Sequence, residues 1–166
     1  MKIRTLTILI LAIFMTSCEK IALENMTVKK YISLLKSGRY DYIELPPFDS
    51  KDIPELLKYI NDSQVITNFP ISTTSSFIGP DCKLGVYALW TIESIRVCSI
   101  EGETHLFRFP SGNPILIFKD SGSGTLDSDI AHQAAAKAYQ DWWDSNSNFQ
   151  QIKNINPLDN TDYRWR

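Results

Sequence analysis

Residues 83–97 (KLGVYALWTIESIRV) restrict the fold more than any other part of this sequence. Apolar residues in this run fall on nearly every side of a helix rather than on one face. A helix that is apolar all round either spans a membrane or lies at the centre of a protein core. The charged residues Lys83, Glu93 and Arg96 and the short length exclude a span. The sequence therefore predicts a mainly α protein, a compact bundle of about four or five helices around a central apolar helix at 83–97.

Glu93 and Arg96 are spaced i, i+3 in this predicted helix, so their side chains can pair. The simplest interpretation is an ion pair on the helix surface, and the alternative is a buried functional carboxylate at Glu93. Gly85, near the start of the same helix, leaves room for another backbone to approach closely.

Cys82 and Cys98 flank the helix and are 16 positions apart (98 − 82 = 16). At a rise of about 1.5 Å per residue they lie roughly 24 Å apart, whereas the Cα atoms of a disulfide lie within about 7 Å. We therefore expect two separate, buried thiols, which is the ordinary structural role of cysteine.

Residues that favour the beginning or the end of a helix predict further helices on both sides of residues 83–97. Asn25 or Thr27 can cap a first helix, and Gly38 follows its last turn as a stop signal. A second helix begins at Asp52, whose carboxylate can accept from the amides of the first turn while Glu55 reciprocates. The predicted helices are 28–36, 52–60, 83–97, 128–143 and a short turn at 149–153.

The β structure expected from the sequence is small. Two short extended segments within 104–119 surround a Pro-Ser-Gly-Asn-Pro turn, which predicts a minor hairpin lying on the helices. The tail at 155–166 alternates aromatic and charged residues, so it should dock as an extended segment. The connection at 63–81 is long for a compact domain, and its apolar residues indicate that it is held across the core. Residues 27–166 are predicted to form a single globular helical domain.

The N-terminal residues resemble the export signal of a bacterial lipoprotein. Lys2 and Arg4 precede an uncharged apolar run of 11 residues (TLTILILAIFM), the length of a signal-peptide core. Small residues then lead to Cys18, whose thiol can carry a diacylglyceryl group with palmitate-type chains. Met15 departs from the lipoprotein pattern, because leucine is usual at that position. The alternative is an ordinary signal peptide with a chance cysteine.

These features predict a lipoprotein signal peptide at 1–17, a lipidated tether at 18–26 and a membrane partner reached through the lipid on Cys18. By analogy with lipoprotein sorting, Glu19 favours the outer membrane, on either its periplasmic or its surface face. Removal of 1–17 takes away two basic residues and changes the formal charge from −2 to −4. A mildly acidic domain in the cell envelope argues against nucleic acid as a partner.

No constellation of catalytic, metal-binding or nucleotide-binding residues stands out. His105 and His132 have no metal-ligand spacing around them, so we expect structural or surface histidines and no metal or other cofactor. Ser123 lies between two glycines but lacks the spacing of a nucleophile elbow, which favours a linker.

An aromatic group near the C-terminus is the most suggestive candidate site. It comprises Trp142, Trp143, Tyr163 and Trp165. Flat aromatic faces with nearby Asp or Asn bind sugars or peptide side chains, and Tyr and Trp are enriched among interface hot spots. The alternative is that these rings belong to the core and to the docked tail.

Several stretches of the sequence resemble a family of uncharacterised lipoproteins from gut Bacteroidetes. They are DIPELLKYI, VITNFP, CKLGVYALWTIESIR, AKAYQDWW and NPLDNTDYRW, and the resemblance extends from about Val28 to Trp165. It implies an envelope location and a mostly helical domain. It implies no activity and no functional residue.

Three functional hypotheses follow. The first is a non-catalytic binding or scaffold lipoprotein of the cell envelope, with an envelope protein or a glycan as partner. The second is an envelope hydrolase of glycan or peptide, which would need paired carboxylates, with Glu44, Asp52 and Glu93 as candidates. The third is an inhibitor or immunity protein for a secreted toxin. The first is favoured because the sequence has a candidate binding group and no recognisable catalytic set.

Overall fold

The computed structural model describes residues 22–72, 75, 81–101, 108–120, 129–146 and 148–166. Within these ranges the chain is mainly α, with five α-helices and two small antiparallel sheets. No helix in the described ranges is long and apolar enough to cross a membrane. The predicted signal peptide, Cys18, His105 and Ser123 lie outside the described residues.

The helices follow the order that the sequence predicts, with changes at several ends. In chain order the helices are α1 (Val28–Lys36), α2 (Ile53–Leu56), α3 (Leu84–Glu101), α4 (Asp129–Asp144) and α5 (Phe149–Ile152), and the strands are β1 (Val65–Ile66), β2 (Cys82–Lys83), β3 (Leu116–Phe118) and β4 (Tyr163–Trp165). Strand β1 pairs with β2 and β3 pairs with β4, both antiparallel. Short 3₁₀ turns at Leu23–Asn25 and Leu57–Tyr59 precede α1 and extend α2.

Helix α1 begins and ends as its sequence signals predict. The Thr27 side chain accepts a hydrogen bond from the Lys30 backbone N–H at 3.3 Å, so Thr27 is the correct one of the two predicted caps. Gly38 has φ 64°, a left-handed conformation that glycine adopts without steric cost. The N–H groups of Gly38 and Arg39 return to carbonyls of the last turn and thereby close the helix.

The predicted cap of the second helix is wrong. The Asp52 carboxylate accepts from the Asp49 N–H at 3.0 Å instead of capping the first turn. The chain already turns at Asp49, whose carbonyl accepts from the Asp52 N–H at 3.0 Å, so Asp52 itself has a helical backbone conformation. Glu55 pairs with Lys58 rather than reaching back. The α-helical part is correspondingly short and continues as a 3₁₀ turn.

Helix α3 is buried along most of its length. Its fully buried side chains are Leu84, Tyr87, Ala88, Leu89, Trp90 and Ile92. The helix begins one residue later than predicted, because Lys83 pairs with Val65 in the β1–β2 ladder, and it extends to Glu101 rather than Val97. It packs against α2, the 3₁₀ turn that follows α2, and α4, so protein covers its apolar surface on several sides.

The close approach predicted at Gly85 is confirmed. A Cβ at this position would lie 2.5 Å from His132 Nε2 and would also overlap the Ile60 carbonyl oxygen. His132 is buried, and its Nε2 bonds to that oxygen at 2.7 Å. Because a carbonyl oxygen can only accept, Nε2 must carry a proton. His132 therefore has the structural role that the sequence predicts, and it joins α4 to the end of the second helical segment.

Strand β3 has a different partner from the one predicted. The sequence predicted a hairpin within 104–119, but β3 pairs with β4, which places Ile117 opposite Arg164. Arg108, in the first half of the predicted hairpin, has φ 61° and is not in a strand, while 104–107 lie outside the described residues. The extended docking predicted for the tail is confirmed only at β4, which pairs with β3, whereas residues 157–162 form turns and bends.

The long connection between α2 and α3 is closed by the β1–β2 ladder. Within it Ile66 is buried and Phe69 packs half-buried against the core, whereas Val65 is exposed. Cys98 is a buried thiol as predicted, but Cys82 is only half-buried. The difference arises because Cys82 lies in the short strand β2 ahead of α3 rather than inside the helix.

Candidate functional site

The structure separates the four predicted aromatic residues into buried and half-buried members. Trp142 and Tyr163 are buried, whereas Trp143 and Trp165 are half-buried. The ring centroids of Trp142 and Trp143 are 6.0 Å apart, while Tyr163 packs on Phe118 at 5.2 Å. The four side chains therefore do not form a single exposed patch: Trp142 belongs to the core, and Tyr163 and Trp165 belong to the docked tail.

Tyr139 connects the two parts of this group, and the sequence analysis did not include it. Its ring centroid lies 6.2 Å from that of Trp142 and 6.4 Å from that of Trp165. The Trp165 indole Nε1 donates to the Tyr139 hydroxyl at 2.8 Å, and this hydroxyl donates to Glu93 Oε2 at 2.8 Å. Burial raises the pKa of Tyr139 well above its usual value, and the neighbouring Glu93 charge raises it further. Tyr139 therefore stays a neutral hydrogen-bond donor.

Glu93 and Arg96 form a buried ion pair, so the prediction of a surface pair is wrong. Glu93 is 5% exposed and Arg96 is 9% exposed. Arg96 Nε donates to Glu93 Oε2 at 2.8 Å and Nη2 donates to Oε1 at 2.6 Å, a bidentate arrangement. Burial alone would lower the pKa of Arg96, but the hydrogen bond and the charge of Glu93 outweigh it and the pKa is raised. The physical reason for the error is that α3 has little solvent-facing surface on which such a pair could lie.

This buried network links four parts of the chain. Glu93 and Arg96 belong to α3, Tyr139 to α4 and Trp165 to β4, and Arg96 Nη1 also donates to the Lys153 carbonyl beyond α5 at 3.1 Å. Both carboxylate oxygens of Glu93 are already engaged by Arg96, and one also by Tyr139. Proton transfer to a substrate would require Glu93 to leave these bonds, so the arrangement favours a role in holding α3, α4 and the tail together.

The other carboxylates considered for hydrolysis are not paired with Glu93 or with each other. Asp52 bonds to the Asp49 N–H, and the segment around Glu44 is held by the Tyr40 hydroxyl, which donates to the Glu44 carbonyl at 2.7 Å. In the described part of the chain, no hydrogen bond or ion pair joins any two of Glu44, Asp52 and Glu93. The described residues also contain no group of three or more His, Cys, Asp or Glu side chains that could hold a metal ion.

The end of α4 and the start of α5 form a corner with a partly exposed ring. The Trp143 ring lies 6.3 Å from the Phe149 ring, and Trp142 lies 6.2 Å from Phe149. The Trp142 indole Nε1 donates to the Ile152 carbonyl at 2.9 Å, which fixes α5 against α4. Asn148 caps α5, because its side chain accepts from the Gln150 N–H at 3.0 Å. The structure therefore holds the Trp143 ring against the buried Trp142 and the half-buried Phe149.

Polar side chains close to Trp143 in the sequence bond to one another at this corner. Gln140 Nε2 donates to Asp144 Oδ2 at 2.9 Å, and Asn146 Nδ2 donates to Gln151 Oε1 at 2.5 Å. Gln140 and Trp143 share a helix face because they are spaced i, i+3. We refer to the set as the Trp143 corner; its members are Gln140, Trp143, Asp144, Asn146, Phe149 and Gln151.

Comparison with known proteins assigns the family but no activity. A family model described as a domain of unknown function (DUF4943) matches residues 22–166. No curated protein and no solved structure matches the chain.

Proposed function

The chain belongs to the DUF4943 family, and we propose that it is a non-catalytic binding domain anchored by lipid in the bacterial cell envelope. The export signal at 1–17 and the following Cys18 support the anchor. Several acyl chains on one cysteine would hold the protein firmly, where a single chain gives only marginal binding. Glu19 supports the outer membrane as the destination.

The position of the folded body supports a short tether. The buried core begins as early as Met26 and Val28, just after the 3₁₀ turn at Leu23–Asn25. The residues between Cys18 and this turn number four, so they span at most about 14 Å when fully extended. The domain would therefore lie close to the membrane surface. Its partner would lie in the same membrane or next to it.

The observation that carries the binding proposal is the half-exposed state of Trp143 and Trp165. Each ring is held by packed neighbours, the buried Trp142 and the half-buried Phe149 for the first and the buried Tyr139 for the second. Aromatic rings that are fixed before binding lose little conformational entropy on contact, and such rings are enriched in hot spots. The buried Glu93 carboxylate, by contrast, is already bound by Arg96 and Tyr139 inside the fold.

We further propose that α3 is the centre around which the other helices assemble. Its fully buried side chains and its contacts with α2 and α4 support this arrangement. A buried central helix would give the binding surface a rigid support.

Crosslinking in intact native cells, followed by capture through a C-terminal tag and mass spectrometry, tests the proposed function. For the wild-type chain we expect membrane-fraction recovery and a reproducible envelope partner, and for Cys18→Ala we expect loss of both. Cys82→Ala is the matched control, because it removes a cysteine that lies inside the folded domain, and it should behave as wild type. Equal membrane recovery of wild type and Cys18→Ala would contradict the lipid anchor.

A further inference from the structure

The solvent-facing side of α1 carries basic charge only. The exposed charged residues of the helix, together with the one just beyond its end, are Lys29, Lys30, Lys36 and Arg39. No acidic residue lies between Glu24 and Asp41 in the sequence. Without residues 1–17, by contrast, the chain has a formal charge of −4. Helix α1 is therefore a basic helix in an acidic domain.

The buried face of α1 fixes the direction of these side chains. The residues that hold this face in the core are Val28, Tyr31, Ile32 and Leu35. On the opposite side Lys29, Ser33 and Lys36 are spaced four and three positions apart, so they lie in one line along the helix. Lys30 borders this line and is also exposed. We refer to Lys29, Lys30, Ser33 and Lys36 as the basic face, which the packing of the helix presents to solvent.

Nearby acids neutralise the basic face only in part. Lys36 Nζ pairs with Asp62 at 2.6 Å. Glu55 interacts with Lys29 through charge alone, and its carboxylate is already bound by Lys58. In the described part of the chain, the ammonium groups of the two lysines in the first turn of α1 form no ion pair and no hydrogen bond. These two lysines therefore keep their charge available to a ligand.

The place of α1 in the chain brings a membrane to this face. Four residues separate the proposed lipid site at Cys18 from the 3₁₀ turn at Leu23–Asn25, and α1 follows that turn. The four residues span at most about 14 Å, and the nine residues of α1 have a length of about 14 Å. Exposed charges act over only about 8 Å at physiological salt. A tether this short can hold the bilayer within that range of the basic face.

An acidic protein is the competing occupant of the basic face. It would have to reach α1 by diffusion toward a domain whose formal charge is −4, and a net negative charge does not steer acidic partners. The anchor, by contrast, keeps the bilayer beside the helix at all times. Tether length and charge together therefore favour an anionic membrane surface over an acidic protein.

We propose that the basic face contacts the anionic phospholipid headgroups of the membrane that holds the anchor. The proposal rests on the proposed function and specifies the orientation of the domain, with α1 toward the bilayer. A lysine close to an anionic bilayer strengthens association about fivefold. Because the acyl chains already attach the protein, the added effect is to favour one orientation of the domain over the others.

Fluorescence quenching in vesicles tests this contact. The full-length lipidated protein carries a fluorophore on Ser33→Cys, in the centre of the basic face, and Cys82→Ala removes the half-buried thiol. The thiol of Cys98 is buried, so it should stay unlabelled. The protein is reconstituted into vesicles of phosphatidylcholine alone or with about one third phosphatidylglycerol, and both contain a trace of lipid with a quencher on its headgroup. Flotation of the vesicles reports the anchor separately.

The quenching should depend on lipid charge. Phosphatidylcholine vesicles give the quenching that the tether alone produces, and we expect phosphatidylglycerol to increase it. Salt at about 1 M, where charges act over only about 3 Å, should remove the increase.

Two double variants connect the increase to the basic face. Lys29→Gln/Lys30→Gln should abolish the increase, because loss of two lysines weakens association of the face roughly 25-fold. Lys137→Gln/Arg164→Gln is the matched control. It removes the same charge from exposed positions on α4 and β4, and it should keep the increase.

Three results would overturn the membrane contact. They are equal quenching in the two kinds of vesicle, an increase that Lys29→Gln/Lys30→Gln retains, and an increase that the control variant loses to the same extent. If the protein still floats with the vesicles in these cases, the lipid anchor stands and only the contact through α1 fails. A protein that floats with neither kind of vesicle would contradict both the anchor and the contact. Crosslinks from Lys29 or Lys30 to an acidic envelope protein, without a phosphatidylglycerol effect, would assign the basic face to that protein instead.

Discussion

Arg96→Met should destabilise the fold by about 3–5 kcal/mol, since removing one partner of a buried ion pair leaves the other charge without compensation. Glu93 is almost fully buried, and without Arg96 its carboxylate would keep, among the described residues, only the Tyr139 hydroxyl as a donor. Methionine retains much of the side-chain volume, so the effect reports the charge rather than a cavity. Urea denaturation of the chain expressed from residue 19 measures the change in free energy of unfolding.

The double variant Glu93→Gln/Arg96→Met separates the contribution of the ion pair to stability from the cost of leaving one buried charge without its partner. With both charges removed, the oxygen of the glutamine amide would still accept from Tyr139, and we expect a smaller loss than in Arg96→Met alone. A loss for Arg96→Met of under about 1 kcal/mol, the size of a surface pair, would contradict the buried arrangement.

Gly85→Ala is the second variant with a large expected effect. In a helix with open space an alanine would stabilise the chain by about 1 kcal/mol relative to glycine. Here the new Cβ would collide with the Ile60 carbonyl and with His132, and the bond between those two groups would be disturbed. We expect a net destabilisation of about 3 kcal/mol, at the upper end for overpacking, and a visible fall in the midpoint of thermal unfolding.

Gly112→Ala is the matched control for this substitution. The nearest atom to a Cβ at Gly112 is the Arg166 carbonyl oxygen at 3.8 Å, an ordinary contact distance. Its free energy of unfolding should stay within about 0.5 kcal/mol of wild type. Stabilisation by Gly85→Ala, the sign expected for an open helix, would mean that α3 and the Ile60–His132 contact are not as close as described.

The helices could be predicted from the sequence where their signals are local. Thr27 and Gly38 act within one turn of α1, and the apolar run of α3 needs no distant partner to be recognised. The same run also contained a signal that the surface interpretation did not use. A helix with apolar residues on every side has no solvent-exposed face on which Glu93 and Arg96 could lie. The surface interpretation considered the i, i+3 spacing of this pair but not its surroundings.

The sheet could be predicted only in part, because its pairing is non-local. The pattern around residues 104–119 suggested a neighbouring partner, whereas β3 actually pairs with a strand close to the end of the chain. The alternation in the tail correctly indicated an extended segment but carried no information about its partner. Register across such a distance depends on packing rather than on turn chemistry.

The candidate site was predicted as a set of residue types, and the structure divides it by exposure. Tyr139 was overlooked although it stands three positions before Trp142 and so shares its helix face. The difference in burial between Trp142 and Trp143 could not be predicted. The burial of two adjacent residues on a helix depends on which other parts of the chain pack on each of them. Phe149 of α5 contacts both rings, but Trp142 also packs on Tyr139 and donates its indole N–H to the Ile152 carbonyl.

The proposed function depends on the lipid anchor at Cys18, and mass spectrometry of the mature protein extracted from native membranes tests it most directly. We predict an N-terminus at Cys18 whose mass is increased by a diacylglyceryl group and further fatty acyl chains. A mature chain that begins at another residue, or that carries an unmodified Cys18, would contradict the anchor and with it the placement of this domain in the cell envelope.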